Sequence, residues 1–228
     1  MKSFNVTLAA AAITLTLISS CATDDPNRRA KTGAAVGAIA GGVIGHQVHS
    51  KNGRYAGVVV GALTGAAVGN YMDKQQRELE QKLAKERRAD QIQVTRIDEE
   101  TLRLDVKSNA SFDIGSAQVN RSFLRSLRTM SEVVGEYDKT AVHIIGHTDS
   151  SGDADYNQSL SEKRATAVKR FLGSNGVDKT RMRNSGRGET MPVDTNSTTE
   201  GRSRNRRVEV YLKSVVEGRE SDAYRSPV

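Results

Sequence analysis

Ile92 to Ile97 and Leu102 to Val106 alternate apolar with polar side chains, the period of two expected of strands with one buried face. Asp98-Glu99-Glu100 between them reads as a turn, so the pair predicts a hairpin. From Arg121 to Tyr137 the residues Phe123, Leu127, Met130, Val134 and Tyr137 recur at helical spacing, the stripe of a helix packed on a sheet. Ala141 to Ile145 reads as a buried strand. Asp155 to Leu172 predicts a second helix, with Leu160, Ala167, Val168, Phe171 and Leu172 inward. Gly173 and Gly176 are expected past its end, where left-handed backbone is needed. Arg181 to Ser185 predicts a short strand. Arg206 to Leu212 sets Val208, Val210 and Leu212 against Arg207, Glu209 and Tyr211, a half-buried strand. A βαβαβ order behind a leading hairpin implies an α+β domain over residues 92–213, helices layered on a mixed sheet. Residues 214–228 lack periodicity and are expected to form a disordered tail.

The start of the chain has a different pattern. Lys2 is followed by an almost wholly apolar run from Val6 to Ile18, and then Ser19-Ser20-Cys21. This is the shape of a secretory signal peptide over residues 1–20. The small residues before Cys21 resemble a bacterial lipobox, with Ile18 where Leu is usual. A lone Cys has no internal disulfide partner, so lipidation gives Cys21 a role in an exported chain. The alternative is an ordinary signal peptide with a free Cys. Acyl chains anchor firmly, because each buried CH₂ contributes ~0.8 kcal/mol. Ala22 follows the Cys, which by resemblance to sorted lipoproteins favours the outer membrane.

After a linker over residues 21–32, glycines recur every four residues, at Gly33, Gly37, Gly41 and Gly45 and again at Gly57, Gly61, Gly65 and Gly69. In a helix that spacing lays them on one smooth stripe. Each Gly costs ~1 kcal/mol against Ala, so close backbone packing along the stripe should offset it. Residues 33–72 therefore predict a helical hairpin, or helices zipped to copies from other chains. The alternative is a flexible Gly/Ala linker. The pattern resembles the glycine-zipper segments of bacterial envelope lipoproteins. Each block would give ~24 Å of helix, marginal for a ~30 Å hydrocarbon core. Residues 73–91 are charged, with Leu79 and Leu83 as a thin seam and Glu78–Lys82 as an i,i+4 pair, and predict a solvated helical spacer.

Composition narrows the functional classes. The 228 residues include no Trp and carry a net charge of +7. That balance alone selects no polyanion. The basic residues are dispersed among acids and not interleaved with aromatics, so nucleic acid is not an expected partner.

Candidate chemistry sits in the C-terminal part. Asp149 follows a buried strand directly, where sheet proteins place ligands. Arg164 falls on the inward line Leu160–Arg164–Val168, and a charge there is costly unless paired. Two readings remain open at this point. One is an Asp–Arg pair at the core edge that serves stability. The other is a partly open pocket that shows both charges to a zwitterion, carboxylate to ammonium and guanidinium to carboxylate.

A wider set of residues surrounds these two. It runs through His147-Thr148-Asp149, Gly152, Asn157, Leu160-Ser161, Arg164-Ala165, Gly186-Arg187-Gly188-Glu189, Pro192, Asn196, Gly201-Arg202 and Asn205-Arg206-Arg207-Val208-Glu209. In this order and spacing it resembles the OmpA C-terminal-like domain, a periplasmic module that holds peptidoglycan. The resemblance implies that Thr148-Asp149 and Arg164-Ala165 clasp the free amino-acid end of diaminopimelate in the peptide stem. It implies supporting hydrogen bonds from Asn157 and Arg206. The loop Phe112-Asp113-Ile114-Gly115 matches the family's Phe-Asp loop, with Gly115 where many members carry a polar side chain.

Other sites are weaker. His143 and His147 stand four apart on a strand, too far for one metal, and no third ligand is evident. Ser150, His147 and Asp149 are too crowded along one strand for a catalytic triad. Arg202, Arg204 and Arg207 read as solvated or capping groups. No cofactor, metal or catalysis is expected. The favoured expectation is a lipid-anchored outer-membrane protein that grips peptidoglycan and tethers membrane to wall. The alternative is a glycine-zipper membrane oligomer or pore, moored by the same domain.

Overall fold

The computed structural model describes residues 62–228. Cys21 and the expected signal segment, and Gly33, Gly37, Gly41, Gly45, Gly57 and Gly61, lie outside the described residues. The chain enters as α1 (Gly65–Lys82) and the short α2 (Ala84–Arg88). β1 (Ile92–Arg96) and β2 (Thr101–Lys107) then form the predicted antiparallel hairpin, with Val94 opposite Leu104. A single turn, α3 (Ser108–Ser111), and a 3₁₀ turn over Arg121–Phe123 lead into α4 (Leu124–Glu136). Next come β3 (Thr140–Gly146), α5 (Ala154–Ser174), β4 (Met182–Gly186), α6 (Thr199–Asn205), β5 (Arg207–Ser214) and α7 (Glu220–Ala223).

The strands form one mixed sheet in the order β1-β2-β5-β3-β4. β3 and β4 are parallel, joined across α5, and the other neighbours are antiparallel. Register explains the core. Leu104 and Ile144 both face Val210, and Leu102 and Val142 both face Leu212, so one side of the sheet is a continuous apolar face. Phe123, Leu127, Met130 and Val134 of the α4 region and Val168 and Leu172 of α5 close over it, all at 2% exposure or less. Burying each such side chain contributes ~1.5–3 kcal/mol.

Three expectations need correction. The helix over residues 73–91 is not a solvated spacer. Met72, Gln75, Leu79 and Leu83 are completely buried where α1 packs on α4 and β1. Tyr71 reinforces the contact: its ring meets Tyr137 edge-on at 5.2 Å, and its hydroxyl accepts from the Lys139 amide at 2.9 Å. The Glu78–Lys82 pair forms as expected, at 2.7 Å.

The second correction concerns β5, whose polar row is not solvated. Arg207, Glu209 and Tyr211 are buried with the rest of the strand. The third correction is the tail, because residues 214–228 pack against the sheet. Val215 and Val216 are buried, and the Leu63 amide donates to the Val215 carbonyl at 2.8 Å. Lys213 Nζ donates to the Asp222 carbonyl at 2.8 Å, and His143 Nε2 meets the Ala223 carbonyl at 2.7 Å. The polar sheet face offers donors to backbone carbonyls, and these hold a segment with no apolar period of its own.

α5 also runs past its expected end. Gly173 lies inside it, and only Gly176, with φ +98°, takes the left-handed backbone. No described helix is long and apolar enough to cross a membrane.

Candidate functional site

The loop leaving β3 and the first turns of α5 enclose one side of a cavity of about 490 Å³. That is within the usual range for small-ligand sites, roughly 300–1,000 Å³. α5 can approach because Gly146 and Gly186 end β3 and β4. A Cβ at Gly146 would collide with the Ser161 carbonyl, and one at Gly186 with the Ser161 hydroxyl. The helix begins where Asp153 caps it, its carboxylate accepting from the Tyr156 amide at 2.9 Å. Asn157, Leu160 and Arg164 then fall on one helical stripe and reach the cavity together.

The other wall comes from the end of α6. Asn205 is completely buried, and its side-chain oxygen accepts from the Val193 and Asp194 amides, both at 2.9 Å. This fixes the preceding loop and delivers Arg206 to the cavity. The roof is the loop after α3, Phe112 to Ser116.

The pairing of charges departs from expectation. Asp149 bonds Arg206, not Arg164: Arg206 Nη1 donates to Asp149 Oδ2 at 2.5 Å. Its other oxygen accepts from the Ser151 amide at 2.9 Å. Burial raises the Asp149 carboxyl, but the bonds from Arg206 and Ser151 outweigh that and hold it below the ordinary carboxylate value. Asp149 is therefore an anion at neutral pH.

Arg164 is 3% exposed and has no carboxylate partner among the described residues. Its Nε donates to the Ser116 carbonyl at 2.9 Å and its Nη2 to the Asp113 carbonyl at 3.4 Å. The guanidinium lies 5.3 Å from the centre of the Phe112 ring. Burial, and then the like charge of Arg206, lower its affinity for the proton. A guanidinium starts so high that it stays charged. The reading of Arg164 as one half of a stabilising ion pair is thus overturned. The reading of a guanidinium and a carboxylate that share an open cavity keeps its geometry.

The remaining expected residues converge on the same place. Asn157 Nδ2 lies 2.7 Å from Glu189 Oε2 and 3.1 Å from the Ser151 carbonyl, so it ties the loop to α5. Thr148 Oγ1 is buried without a hydrogen-bond partner among the described residues, and Thr148 lines the cavity. Arg202 and Tyr156 also line it, and the sequence reading gave neither a role there. Arg202 stands one helical turn before Arg206, a spacing that was available as a signal. Arg204 pairs with Asp194 at the surface. Arg207 is buried and bonds Glu209 at 2.8 Å, so it is not a solvated group.

Gly65 and Gly69 open α1, and no other described atom comes within 4 Å of a Cβ placed on either. Their expected packing partner, if it is the rest of the repeat, lies outside the described residues. No group of three or more His, Cys, Asp or Glu among the described residues is placed to hold a metal.

Residues 111–206 match the OmpA family, and residues 1–73 match a YMGG-like Gly-zipper. The chain is 41% identical over 184 residues to the probable lipoprotein YiaD of Escherichia coli, covering 79% of this chain and 82% of that protein. It is 39% identical over 114 residues to outer membrane porin F of Pseudomonas aeruginosa, covering 50% of this chain and only 31% of the porin. It is 33% identical over 110 residues to the peptidoglycan-associated lipoprotein of Buchnera aphidicola, covering 48% of this chain and 64% of that one. Among solved structures, the cell wall anchor of the T6SS from Pseudomonas aeruginosa matches with a TM-score of 0.56 at 31% identity, over 61% of this chain and 99% of that one. A putative MotB-like protein from Desulfovibrio vulgaris shares the fold, with a TM-score of 0.58 at 24% identity over 64% of this chain and 96% of that one.

Proposed function

This chain belongs to the OmpA family, and on that premise we propose that it is an outer-membrane lipoprotein that binds peptidoglycan without catalysis and tethers the membrane to the wall. Cys21 carries the lipid, and the cavity beside β3 takes the free zwitterionic end of diaminopimelate in the stem peptide. One observation carries this reading. Arg164 is a buried guanidinium with no carboxylate partner among the described residues, in a cavity that also holds the ionised Asp149. A buried charge left unmatched is costly, and a ligand carboxylate would relieve that cost. Asp149, although bonded to Arg206, has capacity left to accept from an ammonium. Phe112 and Leu160 give the cavity apolar lining for the methylene chain between the two ends.

The test compares stem peptides that carry diaminopimelate with ones that carry lysine. Lysine keeps the ammonium and lacks the carboxylate. Removing one partner of a desolvated charge pair costs ~2–5 kcal/mol, so the lysine peptide should bind about 30-fold weaker or worse. Equal affinity for the two peptides contradicts the assignment.

A second reading is favoured by the open stripe of Gly65 and Gly69. In it the repeat zips copies of the chain together in the membrane, and the wall-binding domain moors the assembly. Ordered cross-linked oligomers that vanish in Gly41→Leu or Gly65→Leu support it. A strict monomer in membranes rules it out.

A further inference from the structure

The mouth of the cavity bears an apolar ledge that a zwitterion alone leaves unused. Ile114 is 100% exposed and Tyr156 is 53% exposed, and both line the opening. Isolated apolar residues on a surface need no explanation, but two placed together at the rim of a polar cavity call for one. The loop that carries Ile114 is pinned on both sides. Arg164 donates to Asp113 at 3.4 Å and to Ser116 at 2.9 Å, and the Tyr156 hydroxyl donates to the Gly115 carbonyl at 3.3 Å. All three bonds come from α5, so the exposed side chain is presented on a fixed support. Covering a group that is already held in place requires little new ordering, the condition under which apolar contact converts efficiently into affinity. Arg164 also sets the distance from ledge to clasp, because the same guanidinium pins the loop and faces the cavity.

We infer that Ile114 and Tyr156 form a second subsite, which takes the methyl-bearing alanyl part of the stem peptide where it leaves the cavity. The inference rests on the diaminopimelate reading of the pocket. Continuity decides the occupant. Phe112 and Leu160 line the inside, where the methylenes of diaminopimelate lie, and the ledge begins at the opening. What reaches it is whatever diaminopimelate is attached to, and of its stem neighbours alanine is apolar and glutamate is charged.

The experiment titrates the full-length protein in detergent with free diaminopimelate and with the stem tetrapeptide that carries alanine on diaminopimelate. The proteins compared are wild type, Ile114→Ser and Ile114→Leu. Because Ile114 is fully exposed, neither change threatens the fold. Wild type should prefer the tetrapeptide to free diaminopimelate. Ile114→Ser should weaken the tetrapeptide about fivefold, the effect of roughly 40 Å² of apolar surface left wet, and leave free diaminopimelate unchanged. Ile114→Leu should behave as wild type. Unchanged tetrapeptide binding in Ile114→Ser overturns the ledge alone, and so does an equal loss for both ligands. A wild-type protein that binds neither ligand overturns the pocket reading and the ledge with it.

Discussion

Arg206 Nη1 lies 2.5 Å from Asp149 Oδ2, a bond between residues 57 apart in the chain, while Arg164 on α5 makes no bond to that carboxylate. The two arginines of the cavity therefore do different work. Arg206 neutralises Asp149 and closes the end of α6 onto the β3 loop. Arg164 holds the roof loop by its carbonyls and has no carboxylate partner among the described residues.

This division shows in stability. Arg206→Met leaves Asp149 with only its Ser151 bond and should destabilise the protein by about 1–2 kcal/mol. The effect falls short of the ~3–5 kcal/mol of a fully buried pair, since the Arg206 side chain is 30% exposed. Arg164→Met removes a desolvated charge together with two bonds to backbone carbonyls. These effects oppose each other, and the net change should stay within about 1 kcal/mol. Both variants should lose wall binding. Urea unfolding measured beside binding checks the pair. A larger stability loss in Arg164→Met than in Arg206→Met contradicts it.

The polar sheet face predicts an acid transition. Burial raises Glu209, but the facing His147 ring, 3.4 Å away, and the Arg207 guanidinium hold it down at about 2, below its ordinary 4.5. A carboxyl whose folded value is depressed contributes stability that is fully present above the unfolded value and is lost as pH falls through the folded one. The Glu209 contribution should thus be flat above about pH 4.5 and decline toward about pH 2. Glu209→Gln, compared with wild type across that window, should lose its disadvantage as the pH drops. A gap that stays constant from pH 6 to pH 2 contradicts the assignment.

Helix α1 offers two opposite changes on one face. Leu79 is completely buried, so Leu79→Ala should destabilise by about 2–5 kcal/mol, where a solvated spacer would show almost nothing. Gln75 is equally buried, and neither its amide nitrogen nor its oxygen has a partner among the described residues. Gln75→Leu should stabilise by about 1–3 kcal/mol, the desolvation cost of an unsatisfied polar group. Thermal unfolding of both variants measures this. A Gln75→Leu protein less stable than wild type means that the amide has a partner.

How much of this was legible depends on what each residue's neighbours do. The strands and the helices α4 and α5 follow from local periodicity, because one sheet face and one helix stripe carry the apolar residues. Asp149 and Arg164 were legible as a charge at a strand end and a charge on an inward stripe. Their partners were not, since Arg206 reaches Asp149 only after α6 and its Asn205-bound loop bring it back. Arg207, Glu209 and Tyr211 alternate as a solvated row would, yet they are buried, with Arg207 and Tyr211 both bonded to Glu209. The tail has no period to announce its docking, because backbone carbonyls make part of the contact beside the scattered buried side chains Val215, Val216 and Ala223. The buried seam of α1 is wider than Leu79 and Leu83 alone, because Met72 and Gln75 extend it toward the glycines.

Co-sedimentation of the purified full-length protein with isolated sacculi, with and without free diaminopimelate, tests the central claim most directly. Wild type should pellet with the sacculi, free diaminopimelate should release it, and a folded Arg164→Ala protein should stay in solution. Pelleting of Arg164→Ala to the wild-type extent, unaffected by diaminopimelate, would contradict the clasp.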